Sequence, residues 1–183
     1  MKLNFRVATL DDSLKINELV NSAYRGDSSK MGWTTEADLL GGQRSDLAEI
    51  EEIILDKNQA IILCIQEQQI IGTVVVQQKS ACAYIGMLTV KPDLQKSGVG
   101  KLLLAAAEDH ITNVWHQDEI EMTVIKQRTE LINWYGRRGY FPSGESRPFP
   151  YGDLSFGIPK VNDLEFIVLK KTKSNEAKML CKP

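Results

Sequence analysis

Histidine and cysteine are scarce in this chain, and neither falls into a pattern that chemistry could use. The two histidines, His110 and His116, lie on or just after a helical stretch with no partner nearby, and both read as surface residues. The three cysteines, Cys64, Cys82 and Cys181, are odd in number and scattered. That excludes a disulfide framework and a zinc pattern, so no metal is expected. Cys64 sits in an apolar run and reads as a small core residue. No apolar run reaches the length of a membrane span, and the N-terminus lacks a signal peptide's apolar core. Nor is there an excess of basic charge: 22 Lys and Arg oppose 24 Asp and Glu, a net charge of −2. Nucleic acid is therefore not an expected partner, and neither is a membrane. A reducing, cytoplasmic setting follows. What is left is ordinary for one globular domain with a sizeable core: 183 residues, 43% hydrophobic and 25% charged, without repeats or a linker.

Periodicity then assigns the elements. Asn4 to Thr9 reads as a strand, and Thr9-x-x-Asp12 as a capping box for a helix with Ile16, Leu19, Val20, Ala23 and Tyr24 on its apolar face. Arg25 to Trp33 is a polar, glycine-punctuated loop. Thr35-x-x-Asp38 caps one short turn that stops at Gly41-Gly42. Asp46 caps a second helix, with Leu47, Ile50, Ile53 and Ile54 turned inward. Ala60 to Ile65 and Ile70 to Val76 form an antiparallel hairpin, followed by a strand at Tyr84 to Val90. A helix from Gly98 to about Val114, a strand at Glu119 to Ile125, and a helix at Thr129 to Arg138 closed by Gly139 come next. Leu164 to Leu169 is the last strand. The order is β-α-α-β-β-β-α-β-α-β-β, an α/β domain over residues 1–170, with 171–183 expected as a flexible C-terminal tail.

The strand ending Leu88-Thr89-Val90-Lys91-Pro92 and the helix entry Gln95-Lys96-Ser97-Gly98-Val99-Gly100-Lys101 carry the strongest functional signal. Pro92 has no N–H for a ladder, so the strand stops before it. Gly98 and Gly100 keep side chains off the first helical turn, where free N–H groups and the helix dipole favour an anion. Lys96 and Lys101 flank that turn. The loop is a phosphate site or an ordinary packed turn. It is not a Walker A loop, and the third glycine of a dinucleotide fingerprint is missing.

Gln95-x-x-Gly98-x-Gly100, directly after that strand, resembles the acetyl-coenzyme A signature of the GNAT N-acetyltransferases. A second stretch, Asn133-Trp134-Tyr135-Gly136-Arg137-Arg138-Gly139-Tyr140, is similar to the family's second motif, a helix tyrosine followed by Gly-Phe or Gly-Tyr. By itself Tyr135 is equally readable as a core aromatic. The element order matches as well, so the resemblance covers Phe5 to Lys170. It implies a GNAT fold: a single domain with a mixed, mostly antiparallel central sheet flanked by helices. The strands on either side of the phosphate loop and its helix would splay apart. Coenzyme contacts would come from Leu88, Thr89, Val90, Gln95, Lys96, Ser97, Gly98, Val99, Gly100 and Lys101. Arg128 stands where many relatives carry asparagine, so its contact is implied less directly.

The resemblance further implies transfer of an acetyl group from acetyl-coenzyme A, as cosubstrate, to a primary amine of a small molecule. The amine would attack directly within a ternary complex. Tyr135 would give a proton to the leaving thiolate. An alkyl amine with a pKa of about 10.4 is almost wholly protonated at neutral pH, and freeing it costs about 4–5 kcal/mol. Some relatives use a glutamate on the strand before the phosphate loop, but Tyr84 stands there. Glu121, on the face opposite Met122, is the preferred base, although a solvated strand residue is an equal reading; Glu145 and Asp153 are further candidates.

The loop Arg147 to Lys160 is rich in proline and aromatics and too apolar for disorder. With Gly32 to Asp38 it would border the acceptor. Trp33, Glu36, Asp38, Arg147 and Tyr151 are the candidate contacts: Glu36 and Asp38 for an ammonium or merely for a helix N-terminus, Arg147 for a carboxylate. Charges of both signs would suit an amino-acid-like acceptor. Two other classes stay open, a catalytically weak acyl-coenzyme A sensor and a nucleotide-binding domain. Dimers are common in the family, so a homodimer also stays open.

Overall fold

The computed structural model of the chain describes residues 2–173. Strand β1 (Asn4–Val7) leads through a tight turn (Leu10–Asp12) into helix α1 (Ser13–Tyr24), one further helical turn α2 (Gly26–Ser29), the two-residue strand β2 (Leu40–Gly41) and α3 (Leu47–Leu55). Then come β3 (Gln59–Gln66), β4 (Gln69–Gln78), β5 (Ala83–Val90), α4 (Val99–Asn113) and β6 (Glu119–Ile125). The chain continues through α5 (Thr129–Gly136), β7 (Phe141–Pro148), the short β8 (Ile158–Pro159) and β9 (Glu165–Thr172). Without the short α2, β2 and β8, the order is the one expected. The caps expected at Thr9 and Asp46 form: the Thr9 N–H donates to the Asp12 carboxylate at 2.9 Å, and the Glu49 N–H to Asp46 at 2.8 Å. At Thr35 the hydroxyl accepts from the Ala37 N–H at 3.1 Å.

Seven strands form one sheet in the order β1-β3-β4-β5-β6-β9-β7, antiparallel throughout except at β5–β6. The hairpin strands read as unbroken apolar runs because both of their faces are covered. Ile61, Leu63 and Val75 pack on Ile16 and Val20 of α1 and Ile50 of α3. The alternate residues Ile62, Cys64, Val74 and Val76 pack instead with Leu103, Leu104 and Ala107 of α4. Leu103 is fully buried between α4 and the sheet. Replacing it with alanine would cost about 2–5 kcal/mol.

Some boundaries differ from the sequence reading. Leu47 remains over a third exposed, so α3 buries a narrower stripe centred on Ile50. Helix α5 stops at Gly136, and Arg137 and Arg138 belong to the turn that Gly139 completes at φ +85°. Strand β9 runs two residues past Lys170, because Lys171 is held inward: its ammonium bonds both oxygens of buried Glu108, at 2.9 and 2.8 Å. Glu108 also accepts from the Tyr140 hydroxyl at 2.8 Å. The rest of the expected tail, 174–183 with Cys181, lies outside the described residues. His110 is half-buried rather than a surface residue, edge-on to Trp115 at 5.0 Å, and burial lowers its pKa. Among the described residues no helix is long and apolar enough to cross a membrane, and no His, Cys, Asp or Glu group could hold a metal.

One irregularity positions everything functional. Strands β5 and β6 pair only at Ala83–Ile120 and Tyr84–Glu121, and no further pairs form beyond them. On its other side β5 shifts register against β4 between Thr73 and Val75, where Met87 takes a left-handed φ of +49°. Such a bulge adds local twist and bends the strand. The sheet therefore opens along β5 from Ile85 to Val90.

Candidate active site

The loop after β5 opens one side of this gap. Lys96 and Gly98 both adopt left-handed backbone, at φ +71° and +92°. A Cβ on Gly98 would meet nothing within 4 Å, so conformation, not crowding, calls for glycine there. Helix α4 starts at Val99, and among the described residues the N–H groups of Gly98, Val99 and Gly100 reach no acceptor. Gly98 and Gly100 line a cavity of about 560 Å³. Lys96 and Lys101 line it from the loop side, Leu88 and Val90 from β5, and Leu131, Trp134, Tyr135, Arg137 and Arg138 from α5 and its end. Its basic residues Lys96, Lys101, Arg128, Arg137 and Arg138 face one acid, Glu130. The Arg138 guanidinium lies over the Trp134 ring at 3.5 Å, and Trp33 closes the far side with its ring 6.4 Å from Trp134. A cluster of free N–H groups, a helix N-terminus and surplus cations can hold a polyphosphate.

Two expected coenzyme contacts have their head groups taken up by the protein. The Gln95 carboxamide accepts from the N–H groups of Trp33 (2.8 Å) and Thr34 (3.3 Å). It donates to the Thr34 hydroxyl (2.9 Å) and the Val90 carbonyl (3.2 Å). That is its full bonding capacity, so Gln95 fastens the Trp33–Thr34 segment onto the loop. The Arg128 guanidinium is likewise engaged, by Glu36 and by the Thr34 carbonyl. Thr89 is buried with its hydroxyl on the Met87 carbonyl, Ser97 bonds the Leu94 carbonyl at 2.6 Å, and Val99 points into the core. None of these three side chains lines the cavity.

A second, smaller cavity of about 110 Å³ lies deeper in the gap, bounded by β5 from Tyr84 to Leu88 and β6 from Met122 to Ile125. Five residues line both cavities: Tyr24, Leu88, Arg128, Leu131 and Tyr135. Tyr135 thus stands at the junction. Burial raises its pKa well above the ordinary phenol value, so the hydroxyl stays protonated, and it has no hydrogen-bond partner among the described residues. Tyr84, at the inner end, shares a hydrogen bond with the Thr123 hydroxyl at 2.8 Å across the open strands.

The inner cavity is ringed by Arg25, Glu36, Arg44 and Arg128. Glu36 is not at an open rim, as expected, but buried, with one oxygen on Arg25 and the other on Arg128, both at 2.5 Å. Burial alone would push its pKa up; Arg128 and Arg25 outweigh this and leave it lowered. Glu36 is therefore no free partner for an ammonium. Glu121 is also displaced from its expected role. It is buried outside both cavities, 3.1 Å from Arg147 and 3.3 Å from Lys79. Burial raises its pKa, and these two cations more than reverse that.

Of the remaining expected acceptor contacts, Trp33 lines the outer cavity instead. Asp38 is exposed on a turn and Arg147 is turned to Glu121. The Tyr151 hydroxyl accepts from the Leu164 N–H at 2.8 Å. None of these three lines a cavity. Glu145 pairs with Lys170 at 2.6 Å, and Asp153 caps the turn at Ser155. The acceptor loop contributes Phe149 and Phe156. Sequence reasoning missed Tyr24, Arg25, Arg44, Trp134 and the pair Arg137–Arg138 as site residues. Trp134, Arg137 and Arg138 stood inside the second motif stretch and Tyr24-Arg25 at the end of α1's apolar face, while nothing in the sequence marked Arg44.

The GNAT acetyltransferase domain family matches residues 36–149, which span the hairpin, the phosphate loop and Tyr135. Solved structures share the fold at low identity. An N-acetyltransferase from Staphylococcus aureus Mu50 has a TM-score of 0.72 at 11% identity, covering 96% of this chain and 100% of that one. The spermidine/spermine N-acetyltransferase SpeG from Vibrio cholerae, in complex with manganese ions, has a TM-score of 0.69 at 15% identity, over 97% and 96% of the two chains. The PaiA N-acetyltransferase from Thermoplasma acidophilum, in complex with coenzyme A, has a TM-score of 0.67 at 15% identity, over 94% and 99%. No curated protein matches the sequence. With a family match over more than half its length and this sheet, the chain belongs to the GNAT acetyltransferase family.

Proposed function

We propose that this protein is an acetyl-coenzyme A dependent N-acetyltransferase that acts on a primary amine of a small molecule, by direct attack in a ternary complex. One observation carries the reading: the protonated, unpartnered Tyr135 hydroxyl stands where a cation-lined cavity with free helix N–H groups meets a second cavity. The residues present fit a coenzyme. The N–H groups of Gly98, Val99 and Gly100, with Lys96 and Lys101, would hold its pyrophosphate. The edge of β5 that faces β6, unpaired beyond Tyr84, would offer backbone groups near Leu88 and Val90 to its pantetheine arm, beside the Tyr24 and Gln95 side chains that bond their carbonyls. When bound, acetyl-coenzyme A supplies the thioester.

Tyr135 then gives a proton to the departing sulfur. A thiol's pKa is about 8.5 and burial holds the phenol's above its ordinary value of about 10, so the transfer is uphill by itself and is completed as Tyr135 regains a proton from the attacking nitrogen. The Leu88 N–H, on the bulged part of β5, is the group assigned to polarise the thioester carbonyl. Glu36 is held by two arginines and is a poor base. The amine proton leaves to water or through the Tyr84–Thr123 hydroxyl pair, which lines the inner cavity.

Thermal shift with acetyl-coenzyme A, ATP and NAD, followed by free-thiol release across an amine panel, tests this. Acetyl-coenzyme A alone should stabilise the protein, by about 2.7 kcal/mol at a hundred times its Kd. Stabilisation by ATP or NAD instead would overturn the reading. A second reading, an acyl-coenzyme A sensor, draws on the lack of a free carboxylate on the inner cavity. Stabilisation by acetyl-coenzyme A without thiol release from any amine would select it.

A further inference from the structure

We infer that the inner cavity takes an acceptor carrying a carboxylate beside its amine, with Arg44 as the carboxylate's partner. This deepens the acetyltransferase reading and rests on it.

The charges do not balance around the cavity. Arg25, Arg44 and Arg128 line it against Glu36 alone. Glu36 is already saturated by Arg25 and Arg128, one on each oxygen, and Glu49, outside the cavity, acts on Arg44 only at longer range, so the cavity lining itself carries two positive charges in excess. The other acceptors used by Arg25 and Arg128 are neutral carbonyls, those of Phe156, Tyr24 and Thr34. The Arg25 Nε, shut off from solvent, has no acceptor among the described residues.

Arg44 stands apart. Its guanidinium lies over the Tyr24 ring at 5.6 Å and makes no hydrogen bond or ion pair among the described residues. Its backbone is nonetheless fixed, because its N–H donates to the Asn21 side chain at 2.7 Å, and Asn21 in turn bonds the Ser45 carbonyl at 2.8 Å. A half-buried arginine on a pinned backbone, with its donors unused, suits a carboxylate, which it can bind through two parallel hydrogen bonds.

The same surplus disfavours a second ammonium. An additional positive charge would be repelled by these arginines in a space where water screens it poorly. Apolar walls come from Met122, Phe149, Phe156 and Phe166. The space of about 110 Å³ equals roughly four waters' share of liquid volume, which favours a compact amino carboxylate with a small apolar side chain.

The experiment compares leucine, its decarboxylated counterpart isoamylamine, and spermidine as acceptors in free-thiol release with acetyl-coenzyme A. Leucine should exceed isoamylamine at least roughly tenfold in kcat/KM, with spermidine poorest. Arg44→Gln should raise the leucine KM by a similar factor and bring the leucine-to-isoamylamine ratio of kcat/KM down towards one, while Arg44→Lys keeps part of the preference. Equal or better use of isoamylamine or spermidine overturns the inference, as does an Arg44→Gln variant that still prefers leucine. If acetyl-coenzyme A stabilises the protein but nothing is acetylated, thermal shift of the coenzyme A complex decides. Stabilisation by leucine that Arg44→Gln removes supports the assignment, and no stabilisation rejects it. Failure of acetyl-coenzyme A to bind would instead reject the underlying acetyltransferase reading.

Discussion

The Tyr24 hydroxyl donates to the Leu88 carbonyl at 3.0 Å, fastening the last turn of α1 to the bulged stretch of β5. Both residues line both cavities, so the bond sets how the opened strand edge faces the site. Tyr24→Phe should cost about 1 kcal/mol of stability by urea unfolding, because the buried carbonyl loses its donor. It should also raise the KM for acetyl-coenzyme A severalfold. Unchanged KM and stability would show that the bulge holds itself.

Tyr135→Phe should lower kcat roughly a hundredfold and change coenzyme affinity little, since the hydroxyl acts on the leaving sulfur and not on binding. Burial raises the phenol's pKa, so wild-type kcat should show no downturn from its ionisation as pH rises to its ordinary value of about 10. Steady-state kinetics and a pH profile check both. An unchanged kcat would remove Tyr135 from the chemistry.

The two glycines of the phosphate loop should behave differently. Gly98→Ala forces an L-residue into φ +92°, at a cost of about 1–2 kcal/mol, and the loop should relax away from its anion-binding form. Gly100→Ala places a methyl 3.5 Å from Trp134, an ordinary contact, so stability should hold. Coenzyme affinity, followed by calorimetry, should therefore fall further in Gly98→Ala. Equal losses would mean crowding, not backbone shape, governs the loop.

Asp12 supplies a pH signature away from the site. Its carboxylate takes two hydrogen bonds from Arg6, at 2.7 and 2.8 Å, and one from the Thr9 N–H. The Arg6 bonds, helped by Thr9 and outweighing the upward push of burial, hold its pKa down at about 2, against an unfolded value of about 3.9. The contribution is thus complete above about pH 4 and disappears as pH falls through 2. Asp12→Asn should remove up to about 2 kcal/mol at neutral pH and flatten the stability curve across that window. Parallel acid-unfolding curves for wild type and variant would contradict this.

The sequence carried the fold well because its signals are local. Leu103 and Ala107 repeat at helical spacing, Ile61 to Cys64 alternate between two covered faces, and Gly98 marks a left-handed turn. The site was only half legible, since its electrostatics join distant segments. Glu36 meets Arg128, 92 positions away, and no spacing rule shows that such a pair will be buried together. Alternation placed Glu121 opposite Met122, but not Lys79 and Arg147 closing over it. Gln95 looked like a ligand contact because it opens the coenzyme motif; its amide instead meets Trp33 and Thr34, on a segment 61–62 positions earlier. Arg44 follows two glycines in a loop with no pattern of its own, and only the closing of α1 onto β5 brings it to the inner cavity.

A crystal structure of the chain grown with coenzyme A would decide whether the gap between β5 and β6 is where the cofactor works. The expected density has its pyrophosphate on the N–H groups of Gly98, Val99 and Gly100, and its sulfur within hydrogen-bond reach of the Tyr135 hydroxyl. A coenzyme held elsewhere, or one whose sulfur points away from Tyr135 with the inner cavity sealed off, would contradict the assignment.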